Sequence, residues 1–322
     1  MADAGTDAAR QRIATVARWS EEAGCEGMLV FTDNRQLDPW LVAQCVIECT
    51  QRLVPLVAVQ PIYMHPYSVA KMVSSLALLH GRRVDLNMVA GGFKNDLAAL
   101  DDKTPHDERY ARLVDYTRLI QKLLASSDAV THNGHYYRAR QLQLIPPLAP
   151  QLVPHYYVSG SSSAGQDAAH QLLAVAVEYP KPTTESGRAA SIGARGMRIG
   201  IITRADGDEA WRVARERFPE DRQGQLTHQL AMKVSDSQWH RQLSELGRRD
   251  AGENDPYWLV PFENYKAICP YLVGSHDRVA LELRRYIDAG YASFILDEPE
   301  SEEDLAQVSS AFLRAAELRI AA

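Results

Sequence analysis

A hydroxyl-rich turn is the part of the sequence best suited to bind an anion. Ser159 and Gly160 end an apolar run and are followed by three serines and a helix-like segment. The glycine lets the backbone approach a ligand, the hydroxyls donate hydrogen bonds, and the start of a helix favours negative charge. We therefore expect Ser159, Gly160, Ser161 and Ser162 to bind a phosphate group. The structural alternative is a solvated turn with a helix cap.

A second group of polar side chains begins another helix-like segment. His106, Arg109 and Tyr110 are spaced so that they share one side of a helix. The alternative is a helix start capped by Asp107 with polar surface neighbours.

The composition describes an ordinary globular protein. Of its 322 residues, 46% are hydrophobic and 24% are charged, and the net charge of −6 argues against a general nucleic-acid binder. No apolar run approaches the ~20 residues needed to span a bilayer. The four cysteines are sparse and lack metal-binding spacing, and the first residues lack a signal-peptide core. We therefore expect a cytoplasmic protein without a metal site.

Short apolar runs alternate with amphipathic segments along the chain. The runs are apolar throughout, as expected for parallel strands covered on both faces, so the pattern predicts an α/β fold. We count seven strands, at residues 27–31, 53–59, 83–89, 155–160, 172–179, 197–203 and 292–296. A (β/α)8 barrel needs eight, and the chain starts with a predicted helix over residues 8–23. We therefore expect the first barrel strand to be missing or replaced.

Two segments depart from this alternation. Residues 132–140 predict a hairpin that turns at Asn133 and Gly134, with His132 and His135 on its surface. Residues 218–269 form a long, polar segment before the last βα unit. We expect this insertion to form an active-site lid. No linker or repeat divides the sequence, so we predict one domain over residues 1–322.

Five motifs taken together resemble the luciferase-like flavin monooxygenases, and the alkanesulfonate monooxygenases look nearest. In chain order they occupy residues 86–92, 106–124, 133–147, 156–169 and 271–296. The resemblance runs from about Ile13 to Leu318 and implies a TIM-like (β/α)8 barrel. It also implies an enzyme that binds reduced FMN (FMNH2) and oxidises an organic substrate with O2. A separate NAD(P)H-dependent flavin reductase and a homodimer or homotetramer are implied as well.

The resemblance also implies roles in cofactor binding. It implies that the phosphate expected at the hydroxyl-rich turn belongs to FMN. The family's helix start that faces the flavin phosphate and ribityl chain is matched by His106, Arg109 and Tyr110. Asn87 would contact the edge of the flavin ring, and Ala90 would let the ring approach the backbone. A buried asparagine needs a hydrogen-bond partner in any case, and small residues also serve tight turns.

The substrate side departs from the alkanesulfonate enzymes. Their cysteine after the second strand is matched by Gln36, and their histidine on the seventh strand by Gly200. Their tyrosine after the last strand is replaced by residues 297–299, and their mobile Arg-Gly-Gly segment by residues 265–269. The arginine of the seventh strand is kept as Arg198. We therefore expect a monooxygenase whose substrate is not an alkanesulfonate.

Candidate catalytic residues on the substrate side are Asn34, Arg35, Gln36 and Arg198. An unpaired charge within an apolar strand is costly, so Arg198 needs a partner. That partner is an anionic substrate group, a flavin–oxygen adduct, or a carboxylate in a structural salt bridge.

Two other functions remain open at this point. One is a deazaflavin-dependent oxidoreductase on the same fold, because fold does not fix chemistry. The other is a non-catalytic or partner-dependent flavin-binding homologue, because the strand edges of an incomplete barrel invite pairing with another chain.

Overall fold

The computed structural model describes residues 3–33, 36–91, 94–184, 193–234, 243, 246 and 254–318. The chain divides into two compact units, Met1–Ala176 and Val177–Ala322. Both alternate helices with strands that pair mostly in parallel, so the predicted α/β class is confirmed.

The first unit contains a parallel sheet covered by helices. Its strands, in sheet order, are β1 (Gly27–Val30), β2 (Val54–Val59), β3 (Asp85–Val89) and β6 (Tyr156–Ser159). Its helices are α1 (Asp3–Glu22), α2 (Pro39–Cys49), α3 (Pro66–His80), α4 (Lys94–Ala99), α5 (His106–Ala125) and α6 (Ser163–Leu172). A 3-10 turn covers Pro150–Leu152. Alternate apolar residues of these strands pack against α2, α3, α5 and α6 in one hydrophobic core, whereas β3 also carries the buried polar residues Asp85 and Asn87.

A small antiparallel hairpin joins α5 to the rest of the first unit. It consists of β4 (Val130–Asn133) and β5 (Arg138–Leu142), which confirms the predicted hairpin. The expectation that His132 lies on its surface is wrong. His132 is 5% exposed, and its Nε2 lies 2.7 Å from Asp115 Oδ1 on α5. His135 is exposed, as expected.

Asp115 explains why the hairpin turns against α5. Besides His132, its carboxylate accepts the backbone N–H groups of Tyr136 and Tyr137 at 2.7 and 3.0 Å. Burial raises the pKa of Asp115, but the hydrogen bonds from His132 and the two amides outweigh it and lower the pKa overall. The carboxylate therefore stays charged and holds the turn.

The second unit is built around one long strand, β8 (Arg195–Arg204). β8 pairs in parallel with β11 (Tyr291–Leu296) along its first half and with β10 (Tyr271–Ser275) along its second half. β9 (Tyr257–Trp258) runs antiparallel to β10. The helices of this unit are α7 (Gly207–Arg217), α8 (Arg222–Val234), α9 (Val260–Glu263), α10 (His276–Asp288) and α11 (Glu302–Glu317). β7 (Val175–Glu178) spans the division between the two units.

The predicted count of seven strands was too low, because it missed both β9 and β10. The longer of the two, β10, has the apolar sequence YLVGS and pairs with β8 over five residues. The prediction that a strand starts at residue 172 was also wrong, because Leu172 ends α6 and Leu173 closes the helix at φ 53°. α1 precedes β1, as the predicted initial helix requires.

The described residues contain no disulfide, no candidate membrane span and no candidate metal site. All four cysteines are free. In the part of the chain that the structure describes, no helix is long and apolar enough to cross a membrane. Within those same ranges, no group of three or more histidine, cysteine and acidic side chains could hold a metal ion.

Candidate active site

The hydroxyl-rich turn joins β6 to α6 and forms a capped helix start. The Oγ of Ser162 accepts a hydrogen bond from the backbone N–H of Gly165 at 3.1 Å, and Ser162 is buried. The first turn of α6, which is fully described, carries no acidic residue. Since the first N–H groups of a helix have no partners within it, this positive end is available to an anion.

Gly160 marks a close approach between this turn and α5. Its φ is 154°, and a Cβ placed there would lie 2.1 Å from the hydroxyl oxygen of Tyr110. A Cβ on Gly165 would lie 2.9 Å from the Gly160 carbonyl oxygen. The turn therefore needs glycine at both positions, because no other side chain fits beside Tyr110.

Tyr110 is the residue that links α5 to the turn. Its side chain is buried, and its hydroxyl donates a hydrogen bond to the Ser159 carbonyl at 3.3 Å. Burial raises the pKa of Tyr110, so the hydroxyl stays protonated and remains a donor. The segments beginning at His106 and Ser159 thus meet, as the sequence predicted.

Arg109 and His106, which lie near Tyr110 in sequence, differ in how their nitrogen atoms are hydrogen-bonded. Arg109 donates from Nη1 to the Thr104 carbonyl at 3.1 Å, while its Nε is buried without a hydrogen-bond partner among the described residues. The His106 ring packs edge-on against Tyr110 at 5.2 Å, and its Nδ1 lies 2.7 Å from Asp107 Oδ1. Arg109 therefore has a spare donor, whereas one nitrogen of His106 is occupied by its own helix.

Asn87 lies in the middle of β3, next to β6, and Ala90 directly follows the strand. The register pairs Val89 with Ser159, and Ser159 Oγ donates to Asn87 Oδ1 at 2.9 Å. The predicted cofactor residues on these two strands are therefore in direct contact. Ala90 is buried in the hydrophobic core of the first unit.

This donor set suits the phosphate of FMN. The start of α6 offers backbone N–H groups and serine hydroxyls, and Arg109 adds a cation with an unused buried donor. Glycine at residue 160 leaves room for the Tyr110 hydroxyl, which lies 2.1 Å from the position that a Cβ would take. Both the charge and the donors match a phosphate better than a neutral group.

A second polar cluster surrounds Arg198 in the second unit. Its Nη2 lies 3.5 Å from Asp297 Oδ1, and the side chains of both residues are less than one-fifth exposed. The other carboxylate oxygen of Asp297 accepts a 2.8 Å hydrogen bond from the Tyr271 hydroxyl. Arg198 therefore has a carboxylate partner within the protein, which is the salt-bridge alternative raised from the sequence.

Burial and charge both act on this cluster. Burial lowers the pKa of Arg198, but Tyr179, Cys269 and Asp297 beside it raise the pKa above its ordinary value. Burial likewise raises the pKa of Tyr271, and Asp297 adds to the effect. Arg198 is thus charged and Tyr271 is protonated, so Tyr271 acts as a donor.

The ring of Tyr271 occupies the space above Gly200. A Cβ on Gly200 would lie 2.3 to 2.4 Å from three carbon atoms of that ring. Beside it lies a small, partly open cavity that is lined in part by Tyr271, Asp297 and Glu298.

The other predicted substrate-side residues are less informative. Asn34 and Arg35 lie outside the described residues. Gln36 is exposed, and its backbone N–H donates to the Asp33 carbonyl at 3.4 Å. Their predicted roles stay predictions.

Sequence reasoning missed three members of the Arg198 cluster. Tyr179, Cys269 and Tyr271 lie at strand ends or just before a strand, and they reach Arg198 or Asp297 only through the pairing of β8 with its neighbours. The usable signal for Tyr271 was the apolar run YLVGS, whose composition is typical of a strand.

Comparison with known proteins agrees with this geometry. Residues 2–293 match the family model described as luciferase-like monooxygenase. The chain is 34% identical over 302 residues to the 4-(gamma-L-glutamylamino)butanoyl-[BtrI acyl-carrier protein] monooxygenase BtrO of Niallia circulans, covering 91% of this chain and 88% of that protein.

Solved structures show the same fold at low sequence identity. The long-chain alkane monooxygenase LadA matches 96% of this chain and 83% of its own, with a TM-score of 0.73 and 18% identity. An F420-dependent secondary alcohol dehydrogenase matches 95% of each chain, with a TM-score of 0.66 and 16% identity. With the family model spanning most of the sequence, this chain belongs to the luciferase-like monooxygenase family and is an oxidoreductase.

Proposed function

We propose that the protein is a reduced-FMN-dependent monooxygenase that inserts one oxygen atom from O2 into a small organic substrate other than an alkanesulfonate. A separate NAD(P)H-dependent flavin reductase would deliver the reduced flavin, and the enzyme would work as a homodimer or homotetramer. The observation that carries the proposal is the contact between Tyr110 and the Ser159–Gly160 turn, because it brings the predicted phosphate-binding segments together.

In this proposal the first unit holds the flavin phosphate. The start of α6 and the hydroxyls of Ser161 and Ser162 would bind the phosphate oxygens, and the spare donor of Arg109 would add charge-assisted binding. Tyr110 would keep the turn in its bound shape, since its hydroxyl already holds the Ser159 carbonyl. Such a prearranged site lowers the cost of ordering on binding.

When bound, reduced flavin supplies the two electrons that oxygen activation needs. The protein contributes binding, orientation and exclusion of water. Asn87 and Ser159 would present their hydrogen-bonding groups to the flavin as a fixed pair, because each already bonds to the other. The buried, apolar surroundings of Ala90 favour a dry pocket.

An acyl group carried on an acyl carrier protein is the substrate class we favour. The curated relative that shares 34% identity over 91% of this chain is a monooxygenase of such a substrate. A carrier-bound acyl group is not a sulfonate, which agrees with the replaced residues at Gln36, Gly200 and 297–299.

An anaerobic titration of the full chain with reduced FMN and, in parallel, with a reduced deazaflavin tests the cofactor. We expect reduced FMN to bind at micromolar or lower concentration and the deazaflavin to bind more weakly. Tighter binding of the deazaflavin would instead support an oxidoreductase of the kind found among the solved structures of this fold.

The substrate is tested with acyl carrier protein loaded with short acyl chains, together with a flavin reductase, NADH and O2. We expect the mass of the acyl group to rise by one oxygen atom, and the same acyl groups as free acids to react poorly. Equal turnover of the free acids would contradict the carrier-bound substrate and leave the cofactor assignment standing.

A further inference from the structure

The outer face of the β4–β5 hairpin carries positive charge. Arg138 and Arg140 are exposed and alternate along β5 with the less exposed Ala139, so the two arginines lie on the same face of the hairpin. The register pairs the exposed Asn133 with Arg138 and the buried His132 with Ala139. The face that is turned away from the protein core therefore presents two guanidinium groups to solvent.

Neither arginine forms an ion pair with a carboxylate among the described residues. Partly exposed arginines elsewhere in the chain differ, since Arg212, Arg285 and Arg314 each bind an acidic side chain. An arginine without an acidic neighbour keeps its attraction for an approaching anion. The hairpin thus bears uncompensated positive charge on a chain whose net charge is −6.

Acidic residues are missing from a long stretch of sequence that includes this face. The chain has 41 aspartates and glutamates, yet none lies between Asp128 and Asp167. That stretch contains the hairpin, the hydroxyl-rich turn and the first turn of α6. The part of the chain that is proposed to bind the flavin phosphate is therefore continuous with a segment that does not repel a second anion.

The carboxylate that α5 directs at the hairpin does not offset the two arginines. Asp115 lies on the inner side, where its oxygens accept hydrogen bonds from His132 and from two backbone N–H groups of the turn. Lys122 of the same helix balances its charge, with Nζ 3.3 Å from Nδ1 of His132. The outer face therefore keeps the full charge of its arginines.

The turn of the hairpin lies at the edge of the sheet that carries the candidate phosphate site. The Tyr137 hydroxyl lies 3.5 Å from the carbonyl oxygen of Pro61, which follows the carboxyl end of β2. The hydroxyl-rich turn follows the carboxyl end of β6, two strands away from β2 in the same sheet. Since neighbouring strands are about 4.8 Å apart, these two strand ends are separated by about 10 Å. Arg138, directly after Tyr137, thus borders the candidate site within the first unit.

We propose that the outer face of the hairpin, through Arg138 and Arg140, binds the acidic surface of the acyl carrier protein that delivers the substrate. The proposal rests on the proposed function, in which the substrate is an acyl group on such a carrier. A carrier protein presents its acyl group on a flexible phosphopantetheine arm, so its surface can bind at the rim while the acyl group enters the site. Opposite charges on the two surfaces accelerate association and fix the orientation of the carrier.

The test is binding of a fluorescently labelled bacterial acyl carrier protein, loaded with a butanoyl group, to the full chain without flavin. The double variant Arg138→Glu/Arg140→Glu reverses both charges, and we expect its Kd, measured by fluorescence anisotropy at low salt, to rise at least tenfold. Arg138→Lys/Arg140→Lys keeps both charges and should bind nearly as tightly as the wild type. Because salt screens exposed charges, high salt should remove most of the difference between the wild type and the glutamate variant.

A matched control places the same charge change elsewhere in the first unit. Arg10→Glu/Arg18→Glu reverses two exposed arginines on α1, which packs against α2 and β1, and it should leave the Kd unchanged. If the glutamate variant of the hairpin fails to fold by circular dichroism, Arg138→Gln/Arg140→Gln takes its place.

Turnover separates docking of the carrier from chemistry at the site. With reduced flavin supplied, the hairpin variant should raise the KM for the carrier-bound butanoyl group and leave kcat unchanged. The KM for butanoyl-pantetheine, which carries the same acyl group without the carrier, should not change.

Four results overturn the proposal: wild-type binding of the carrier that is no tighter than that of the hairpin variant, an equal loss in the α1 control, an equal rise in KM for butanoyl-pantetheine, or equally tight binding of a short RNA at the same arginines. The binding measurements use no flavin. Failure of the proposed function would instead appear as absent binding of reduced FMN or as no oxygen added to the acyl group, whatever the hairpin variants show.

Discussion

Replacing Gly160 by alanine should strongly weaken flavin binding. The added Cβ would lie 2.1 Å from the Tyr110 hydroxyl oxygen and 3.0 Å from its ring carbon Cζ, whereas ordinary contacts begin at 3.4 Å. Tyr110 or the turn must therefore move by about 1.3 Å. A φ of 154° adds backbone strain to this clash.

The size of the effect follows from the hydrogen bonds that the shift would break. Each hydrogen bond to a charged group contributes about 1.5 to 3 kcal/mol, and a displaced turn loses one or two of those to the phosphate. A loss of about 3 kcal/mol corresponds to roughly a 100-fold rise in Kd. Overpacking and strain should also lower the free energy of unfolding by about 2 kcal/mol.

An anaerobic fluorescence titration with reduced FMN measures the change in Kd, and urea unfolding measures the change in stability. Gly81→Ala is the matched control: Gly81 also has a positive φ, of 64°, but a Cβ there meets nothing within 4 Å. It should lose about 1 kcal/mol of stability and bind flavin normally. If Gly160→Ala binds reduced FMN within about twofold of the wild type, the assignment of this turn to the phosphate is refuted.

Three further substitutions test the framework that supports the site. Asp115→Ala removes the acceptor of three hydrogen bonds from the hairpin and should lower the free energy of unfolding by about 3 kcal/mol in urea. Tyr116→Phe removes the buried hydrogen bond to the Met64 carbonyl, 2.8 Å long, and should cost about 1 kcal/mol by the same measurement. Asp102→Asn should flatten the acid unfolding profile. Burial raises the pKa of Asp102, but hydrogen bonds from Arg112 and Thr104 outweigh it and lower the pKa to about 2, so the wild type keeps this stabilisation above pH ~4 and loses it as the pH falls through about 2.

One control variant serves all three substitutions, and a different result would contradict each prediction. Asp128→Ala removes an exposed carboxylate close to the hairpin and should change stability by less than about 0.5 kcal/mol. If Asp115→Ala lowers the free energy of unfolding as little as Asp128→Ala does, the hairpin does not depend on the Asp115 carboxylate. For Asp102, parallel acid profiles of wild type and variant between pH ~4 and 2 would show that its lowered pKa contributes nothing to stability.

Local signals in the sequence were sufficient for most of the fold and for one part of the site. The glycine-rich, serine-rich turn and the His106 helix are each encoded by a short continuous segment, and both form where predicted. Their contact was expected from the resemblance, which assigns both segments to the phosphate of the same flavin.

The Arg198 cluster could not be read in the same way. Tyr271 and Asp297 are far from Arg198 in sequence, and their contact depends on the pairing of β8 with two different strands along its length. His132 was misplaced for a related reason: a histidine in a polar hairpin looks exposed until Asp115, seventeen residues earlier, is known to receive it. Local patterns report secondary structure, whereas these partners are determined by tertiary pairing.

Gly200 and Tyr271 constrain how this enzyme can evolve. The tyrosine ring fills the volume that any side chain at residue 200 would need, so a histidine there is accessible only after residue 271 has become small. The two positions are therefore coupled, and residue 271 has to change first, because a side chain at residue 200 clashes with the present tyrosine. A library that randomises residue 200 alone should return glycine, whereas joint randomisation of both positions should also return larger residues at position 200.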